Sequence, residues 1–458
     1  MPFATLRRVL LGNPIPTARE SQERLSKVKG LAVFSSDALS SVAYATEEIL
    51  RVLVLAGTAA LALSVPIAIS IAVVLVLVAM SYFQTIHAYP RGGGSYIVAH
   101  ENLGELPGLV AASSLLIDYT LTVAVSVTAG MEAITSAVPA LIPLRIELCL
   151  AAVALIAWAN LRGVRESGTI FAIPTYAFIA ITLTLIVAGF LKVAATGAVP
   201  PPAHLDGGGT QALTLFLILR AFASGCTALT GIEAISDGIP AFKPPESRNA
   251  GRTLVAMAAL LVVMFLGITF LARDFGIVID PHETVVSQIG RAVFGTGALY
   301  YILQAATAMI LLLAGNTAFA DFPRLGFFLA RDRYLPRQLA NRGDRLVFTN
   351  GILTLAILAG ALIVAFGGTT HALIPLYAVG VFISFSLSQA GMVRHWMVRK
   401  TRGWRWKMAL NAIGLSATAV VALVIIATKF LHGAWIVLAL IPLAVASFKA
   451  ISRHYDDA

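Results

Sequence analysis

The sequence predicts an all-α integral membrane protein with twelve transmembrane helices. Only 12% of its 458 residues are Asp, Glu, Lys or Arg, and 58% are hydrophobic; the mean hydropathy is +0.85. A soluble chain carries about 25% charged residues, so half that share indicates a surface that largely faces lipid. Twelve spans of about 20 residues would use roughly 240 residues and leave no room for a sizeable soluble domain.

Apolar runs define the individual spans. Uninterrupted runs predict five helices, at 61–83, 253–272, 347–366, 408–428 and 431–450. Three further runs are nearly as apolar, at 146–161, 167–191 and 296–320. Four more are long enough but contain Asp, Glu, Gly or clustered Ser and Thr, at 30–55, 107–138, 210–240 and 371–393. These interrupted spans are the candidates for function.

The basic residues predict the orientation. With an inside N-terminus, 26 of the 33 Lys and Arg residues fall in inside segments, and Arg220 lies within a span. The six on the outside are Arg51, Arg145, Lys192, Arg273, Arg291 and Lys429. Because excess Lys and Arg marks the cytoplasmic face, we predict a multi-pass plasma-membrane protein with both termini in the cytoplasm. This topology explains the net charge of +10 without nucleic acid, and membrane lipids, including anionic ones, are the expected contacts.

The order of the spans predicts an inverted repeat. Span one is interrupted by the serine-rich segment 35–41, and span six, five spans later, by 224–233. An odd number of spans per repeat inverts the second copy, and paired polar interruptions mark a transporter's midplane site. We therefore predict a cytoplasmic segment at 1–29, repeats at 30–195 and 210–393, two extra helices within 408–450 and a cytoplasmic tail at 451–458.

Three carboxylates are predicted at bilayer depth: Asp37, Asp118 and Glu233. Each would cost at least ~2.5 kcal/mol there, so each calls for a partner or a function. Asp37 could also cap the second half of a broken helix. Glu233 follows Thr230 and Gly231, and because burial disfavours its anion it is our candidate for proton coupling. The alternative for Glu233 is a structural carboxyl, hydrogen-bonded to a neighbouring span.

Asp118 begins a stripe of oxygen-bearing side chains. Steps of four residues lead to Thr122 and Ser126, which places all three on one helical face. For Thr122 and Ser126 alone, hydrogen bonding between helices is an equal alternative. A carboxylate-bearing site without clustered Cys or His suits an alkali cation and not a transition metal. We predict no cofactor and no catalytic site.

Other polar residues receive structural interpretations. Cys149 and Cys226 lie in apolar stretches and predict neither a disulfide nor a metal site. Glu47 and Glu48 lie toward the outer end of span one. They could form an acidic vestibule that attracts cations, but we interpret them mainly as exposed interfacial charge.

Five sequence blocks resemble a known family: 34–44 (FSSDALSSVAY), 89–96 (YPRGGGSY), 116–119 (LIDY), 228–235 (ALTGIEAI) and 375–380 (PLYAVG). They are similar to the KUP-type potassium importers of bacteria, which belong to the amino acid–polyamine–cation superfamily and have the LeuT fold. The resemblance runs from about residue 20 to the C-terminus.

The resemblance implies proton-coupled potassium uptake by a LeuT-like fold, with a potassium ion and a proton as partners. It implies that Glu233 couples the proton and that potassium is bound by Asp37, Tyr44, Asp118, Thr122, Ser126, Thr230 and Tyr377, with Asp37, Asp118, Thr122, Ser126 and Thr230 as the direct ligands. Family members carry a soluble domain after the last span, used for dimerisation and nucleotide regulation. This sequence stops at 456–458, so a homodimer is retained as an expected partner but nucleotide regulation through that domain is not.

Two rival functions remain open at the level of the sequence. The first is an amino acid permease on the same fold, which would cradle a substrate carboxylate in a Gly-rich break of span one. Here that break contains Asp37 and no glycine, which favours a cation, although a cationic amine such as a polyamine also fits. The second is a transceptor that senses without appreciable flux, for which we find no signalling domain.

Overall fold

The structure is a computed structural model that describes residues 24–92, 94–162, 168–199, 211–339 and 348–457. This part of the chain is helical, and its one β interaction is an isolated bridge between Leu25 and Phe242. The all-α prediction is confirmed. The α-helices are α1 Lys27–Phe34, α2 Ser36–Ser40, α3 Ala45–Leu53, α4 Ser64–Ala88, α5 Ser95–Leu103, α6 Glu105–Ala137, α7 Arg145–Leu161, α8 Gly168–Thr196, α9 Leu215–Gly225, α10 Ala234–Asp237, α11 Glu246–Asp274, α12 Val285–Phe294, α13 Ala298–Arg331, α14 Thr349–Ala365, α15 Thr370–Arg399, α16 Trp404–Lys429 and α17 Ala434–Asp457.

Ten segments of the described chain are long and apolar enough to cross a membrane, and each corresponds mainly to one predicted span. The other two predicted spans correspond to α14, which has 17 residues, and to the broken run α1–α3. Helix α13 continues to Arg331, past the predicted end at residue 320. Polar residues end the apolar run there, but they do not end the helix, because helix propensity does not require an apolar side chain.

The first predicted span is interrupted at its serine-rich segment. Helix α2 lasts five residues, a 3₁₀ turn follows, and α3 begins only after Tyr44. The hydroxyls of Ser35, Ser40 and Ser41 donate to main-chain carbonyls three or four residues earlier, at 2.5, 2.8 and 2.6 Å. Such local hydrogen bonds compete with the regular helical ladder and bend or interrupt it.

The sixth predicted span is interrupted in the same way. Helix α9 ends at Gly225, and the 3₁₀ turn Cys226–Leu229 leads into Thr230, whose backbone is extended. Gly231 then takes a φ of +76°, a conformation that glycine adopts without the steric cost of a Cβ atom. The two predicted interruptions are therefore both present.

Helices α6 and α13 form the centre of the bundle. They pack against each other, α6 also packs against α15, and α13 packs against α2 and α8. In the most apolar 18-residue stretch of α6, 83% of the residues are buried, against 17% for the segment Pro139–Leu161 that contains α7. Polar side chains on α6 therefore face protein and not lipid.

Candidate functional site

The two interrupted spans meet at Gly231. A Cβ atom built on this residue would lie 2.7 Å from the main-chain nitrogen of Ala38 and 2.7 Å from Asp37 Oδ2. The Ser41 hydroxyl reaches the carbonyl of Ala228 at 3.4 Å. The chain of the second interruption therefore lies directly against the carboxylate of the first, and only a glycine permits this approach.

We expect Gly231→Ala to separate the two interruptions. The new methyl group would meet the main-chain nitrogen of Ala38 as well as the Asp37 carboxylate, and a positive φ costs a non-glycine residue a further ~1–2 kcal/mol. The thermal unfolding midpoint in detergent should fall and transport should be lost.

Gly326→Ala is the matched control for that variant. Gly326 lies inside α13 with open space around its Cα, so the alanine should leave stability unchanged or raise it by up to ~1 kcal/mol. Equal unfolding midpoints for the two variants would contradict a tight junction at Gly231.

Three buried side-chain oxygens at this junction have no hydrogen-bond partner among the described residues: Asp37 Oδ1, Tyr44 OH and Asp118 Oδ1. Tyr44 lies beside Thr230 and Tyr377 and within electrostatic range of Asp37 and Asp118. Leaving a buried polar atom unpaired costs ~1–3 kcal/mol, so a cluster of such atoms calls for a ligand.

The stripe predicted on α6 meets this cluster at Thr122, which donates to the Tyr377 hydroxyl at 3.2 Å. Ser126 Oγ has no partner in the described chain, whereas Thr120 and Thr128 donate to carbonyls of their own helix at 2.9 Å. Of the two hydroxyls in the stripe, that of Ser126 is therefore the unsatisfied one.

Asp37 does not cap the helix that follows the break. Asp37 is the second residue of α2, and the N-cap residue of that helix is Ser35, which makes no side-chain capping bond. The Oδ1 atom of Asp37 is unpaired in the described chain. The capping interpretation of this residue is wrong, since the helix already includes it and its carboxylate points to the junction.

Glu233 lies just before α10 and is held by two hydroxyl groups. Tyr82 of α4 donates to its Oε2 at 3.1 Å and Ser95, the first residue of α5, donates at 3.0 Å. Asp118 is within electrostatic range of both Glu233 and Asp37. The hydrogen bond to a neighbouring span that the structural alternative requires is present, and it does not prevent the carboxyl from exchanging a proton.

Two carboxylates near the junction were missed by the sequence analysis. Asp237, at the end of α10, accepts a hydrogen bond from the Tyr119 hydroxyl at 3.3 Å. Asp321, buried in α13, lies 3.5 Å from Arg324 and within electrostatic range of Asp37. The predicted span ended at residue 320, so Asp321 counted as a loop residue; its spacing of three from Arg324 was the available signal of a continuing helix.

A second acidic group lies on the far side of Tyr44 from the junction. Glu47 and Glu48 are 8% and 6% exposed, so the interpretation of these residues as exposed interfacial charge is wrong. Glu47 accepts the main-chain N–H of Val285 at 3.1 Å, and Glu132 accepts that of Thr370 at 2.9 Å. Chain segments distant in sequence bury these carboxylates, which no local pattern reveals.

The two cysteines are core residues. Cys149 and Cys226 are buried and free. Among the described residues no group of three or more His, Cys, Asp or Glu side chains is arranged to hold a metal ion. The candidate site is instead a mixed set of carboxylate and hydroxyl oxygens, whose donor chemistry suits a hard, weakly bound cation.

Comparison with known proteins identifies the class of this helical, carboxylate-lined bundle. The profile of the amino acid permease family matches residues 25–448, and the chain belongs to that family: it is a multi-pass membrane transporter. It is also similar to the potassium transporter KimA of Bacillus subtilis (strain 168), with 50% identity over 455 residues, which is 99% of this chain and 75% of the relative.

Proposed function

We propose that this chain is a secondary active transporter that imports potassium together with protons by alternating access. The observation that carries the proposal is the cluster of unpaired oxygens from Asp37, Tyr44 and Asp118 at the junction of the two interruptions. An alkali cation exchanges its hydration shell for oxygens of this kind. The 50% identical relative, a potassium transporter, supports the choice of ion.

The charge at the junction supports a cation as substrate. None of Asp37, Asp118 and Glu233 makes an ion pair with a basic residue of the described chain. Uncompensated buried carboxylates are strongly destabilising, so a bound cation and a bound proton would restore the balance. The proposed direct ligands are Asp37, Asp118, Thr122, Ser126 and Thr230, with Tyr44 and Tyr377 beside them.

Packing supports twelve spans and a LeuT-like inverted repeat of five plus five, with span one as α1–α3 and span six as α9–α10. In each proposed repeat a short helix, α5 or α12, separates the second span from the third. Corresponding spans pack in pairs: α4 against α11, α6 against α13 and α7 against α14. The contact of α6 with α15 has its counterpart in that of α13 with α8. The repeats are 30–195 and 210–393, and α16 and α17 lie outside them.

The proposed orientation follows from the distribution of Lys and Arg. The protein lies in the plasma membrane with both termini in the cytoplasm. In this orientation, α1 is on the inner side of the junction and α3 on the outer side. Anionic lipids at the basic inner loops and a homodimer are the further partners we propose.

The rival within the family is an amino acid or polyamine permease, which the family description favours. An amino acid would bring its carboxylate to the first interruption, where Asp37 and the neighbouring Asp118 would repel it. A polyamine has no carboxylate and would be accepted electrostatically. Uptake measurements with both substrates are therefore needed to distinguish a polyamine permease from a potassium transporter.

Proteoliposomes provide the deciding experiment. We expect uptake of potassium, or of rubidium as its surrogate, that is faster under an inward proton gradient than without one. Labelled alanine and putrescine serve as matched substrates in the same vesicles. Uptake of either compound without potassium flux would refute the proposal.

A further inference from the structure

A small cavity separates Tyr44 from the outer surface. Its lining includes Tyr44, Glu47, Glu48, Arg51, Glu132 and Ala133. Tyr44 belongs to the proposed potassium site, and the residues beyond it therefore lie on the proposed outer path to that site.

The three carboxylates of this cavity differ in what holds them. Glu47 binds a helix N-terminus at Val285 and Glu132 binds another at Thr370, which fixes both side chains. Glu48 has a looser contact: among the described residues its ion pair is with Arg51, whose Nε lies 3.7 Å away. That Nε makes no hydrogen bond within the described chain, so this ion pair can be broken at little cost.

Lys429, the last residue of α16, is a buried cation behind Glu48. The sequence analysis counted it as an outside loop residue, but it is 3% exposed, and its Nζ has no hydrogen-bond partner in the described chain. Glu48 is the carboxylate that acts on it electrostatically, and Cys226, where the sixth span is interrupted, also lies within range. A helix C-terminus offsets part of a buried positive charge, but only a fraction of the several kcal/mol that an unpaired ion costs.

Helix α9 connects these groups, because it packs against both α3, which carries Glu48, and α16, which carries Lys429. In the proposed mechanism α3 and α9 are the outer halves of the two interrupted spans, whereas α16 lies outside both repeats. Lys429 is thus a charge on a separate helix, next to the two segments that would move.

We propose that Glu48 exchanges its cationic partner, from Arg51 to Lys429, when the outer path opens. In the present conformation Arg51 lines the cavity and pairs along α3 with Glu47 at 2.7 Å and with Glu48 at 3.7 Å. When Arg51 leaves, Lys429 neutralises Glu48 and gains the partner that it lacks. Lys429 is therefore a positioning residue of the outer gate; this rests on the proposed alternating access but not on the identity of the ion.

The test measures outer accessibility without using flux. Ala133→Cys places a thiol in the cavity wall, and a membrane-impermeant methanethiosulfonate reagent is added outside; the parent chain, with its two buried native cysteines, gives the background. Arg51→Gln should speed labelling, because it opens the cavity. Lys429→Gln should slow labelling at least about five-fold, the lower range of coupling between sites in proteins, and Lys429→Arg should restore it.

A double-mutant cycle tests whether Lys429 acts through Glu48 or has only a structural role. If Lys429 acts through Glu48, then Lys429→Gln will have no further effect in a Glu48→Gln background. Lys192→Gln is the matched control, since that outer lysine is exposed and donates to the carbonyl of Ala292; its labelling rate should equal that of the reporter alone. Should Lys429→Gln fold poorly, Lys429→Met keeps the apolar stem and replaces it in the cycle.

The proposed exchange of partners by Glu48 would be overturned if Lys429→Gln were labelled at the same rate as the Ala133→Cys variant alone. Independent effects of Glu48→Gln and Lys429→Gln would overturn it as well. Failure of the proposed function looks different. In that case the vesicles would take up no potassium or rubidium, while the labelling rates would still show the coupling between Glu48 and Lys429.

Discussion

Asp118→Asn should abolish potassium uptake while leaving the protein folded. The substitution keeps the size of the side chain but removes a negative charge from the oxygen stripe on α6. An interaction with a charged group is worth up to ~3 kcal/mol, so the affinity for rubidium should fall by about two orders of magnitude. Binding can be measured in detergent by isothermal titration, and uptake in proteoliposomes.

Ser113→Ala is the matched control on the same helix. Its hydroxyl is buried, like that of Ser126, but it donates to the carbonyl of Leu109 at 2.8 Å. Uptake by this variant should stay within about two-fold of the parent, because loss of the hydrogen bond from Ser113 to Leu109 costs ~1 kcal/mol of stability or less. Wild-type flux in Asp118→Asn would remove Asp118 from the site.

Glu233→Gln should uncouple uptake from the proton gradient. The amide cannot take up or release a proton in the accessible pH range, yet it can still accept hydrogen bonds from Tyr82 and Ser95, so the local structure should persist. We expect rubidium binding to be retained in part and uptake to become independent of external pH. The measurement is rubidium flux across a series of pH values, with and without an imposed gradient.

Glu246→Gln provides the same chemical change at a distance from the junction. Glu246 pairs with Arg24 at the exposed start of α11, so the pH dependence of its flux should match that of the parent. An unchanged pH dependence in Glu233→Gln would instead assign Glu233 a structural role, fixed by its two hydroxyl donors.

The carboxylates of the site could be predicted because they stand alone in apolar surroundings. Asp37, Asp118 and Glu233 each interrupt a run in which charge is costly, and the four-residue spacing from Asp118 gave Thr122 and Ser126 by helix geometry alone. Tyr44 and Tyr377 could not be found in this way, because a tyrosine in a membrane span is equally at home in a packed core. Only the family resemblance pointed to them.

The outer gate was hidden from the sequence for a different reason. Whether Glu48 and Lys429 are exposed depends on how α3, α9 and α16 pack, and these helices are far apart in the chain. A charged residue near the end of an apolar run has the same local pattern whether it faces the headgroups or another helix. Asp321 shows the same limit, since its burial follows from the continuation of α13 beyond the apolar run.

Because the helices are unevenly buried, the side chains of some helices contact lipid and those of others contact protein. The two surroundings constrain the choice of residue differently. On α7, side chains such as Leu155, which is 62% exposed, meet fluid lipid chains that adapt to any apolar shape. Along most of α6 the neighbours are fixed protein surfaces, so volume and branching are set position by position. Substitutions should therefore be tolerated on α7 according to hydropathy alone and on α6 according to shape. A change in bilayer thickness should therefore strain lipid-facing helices such as α7 first. It should change the packing of α6 against α13, and the ion path beside this pair, much less.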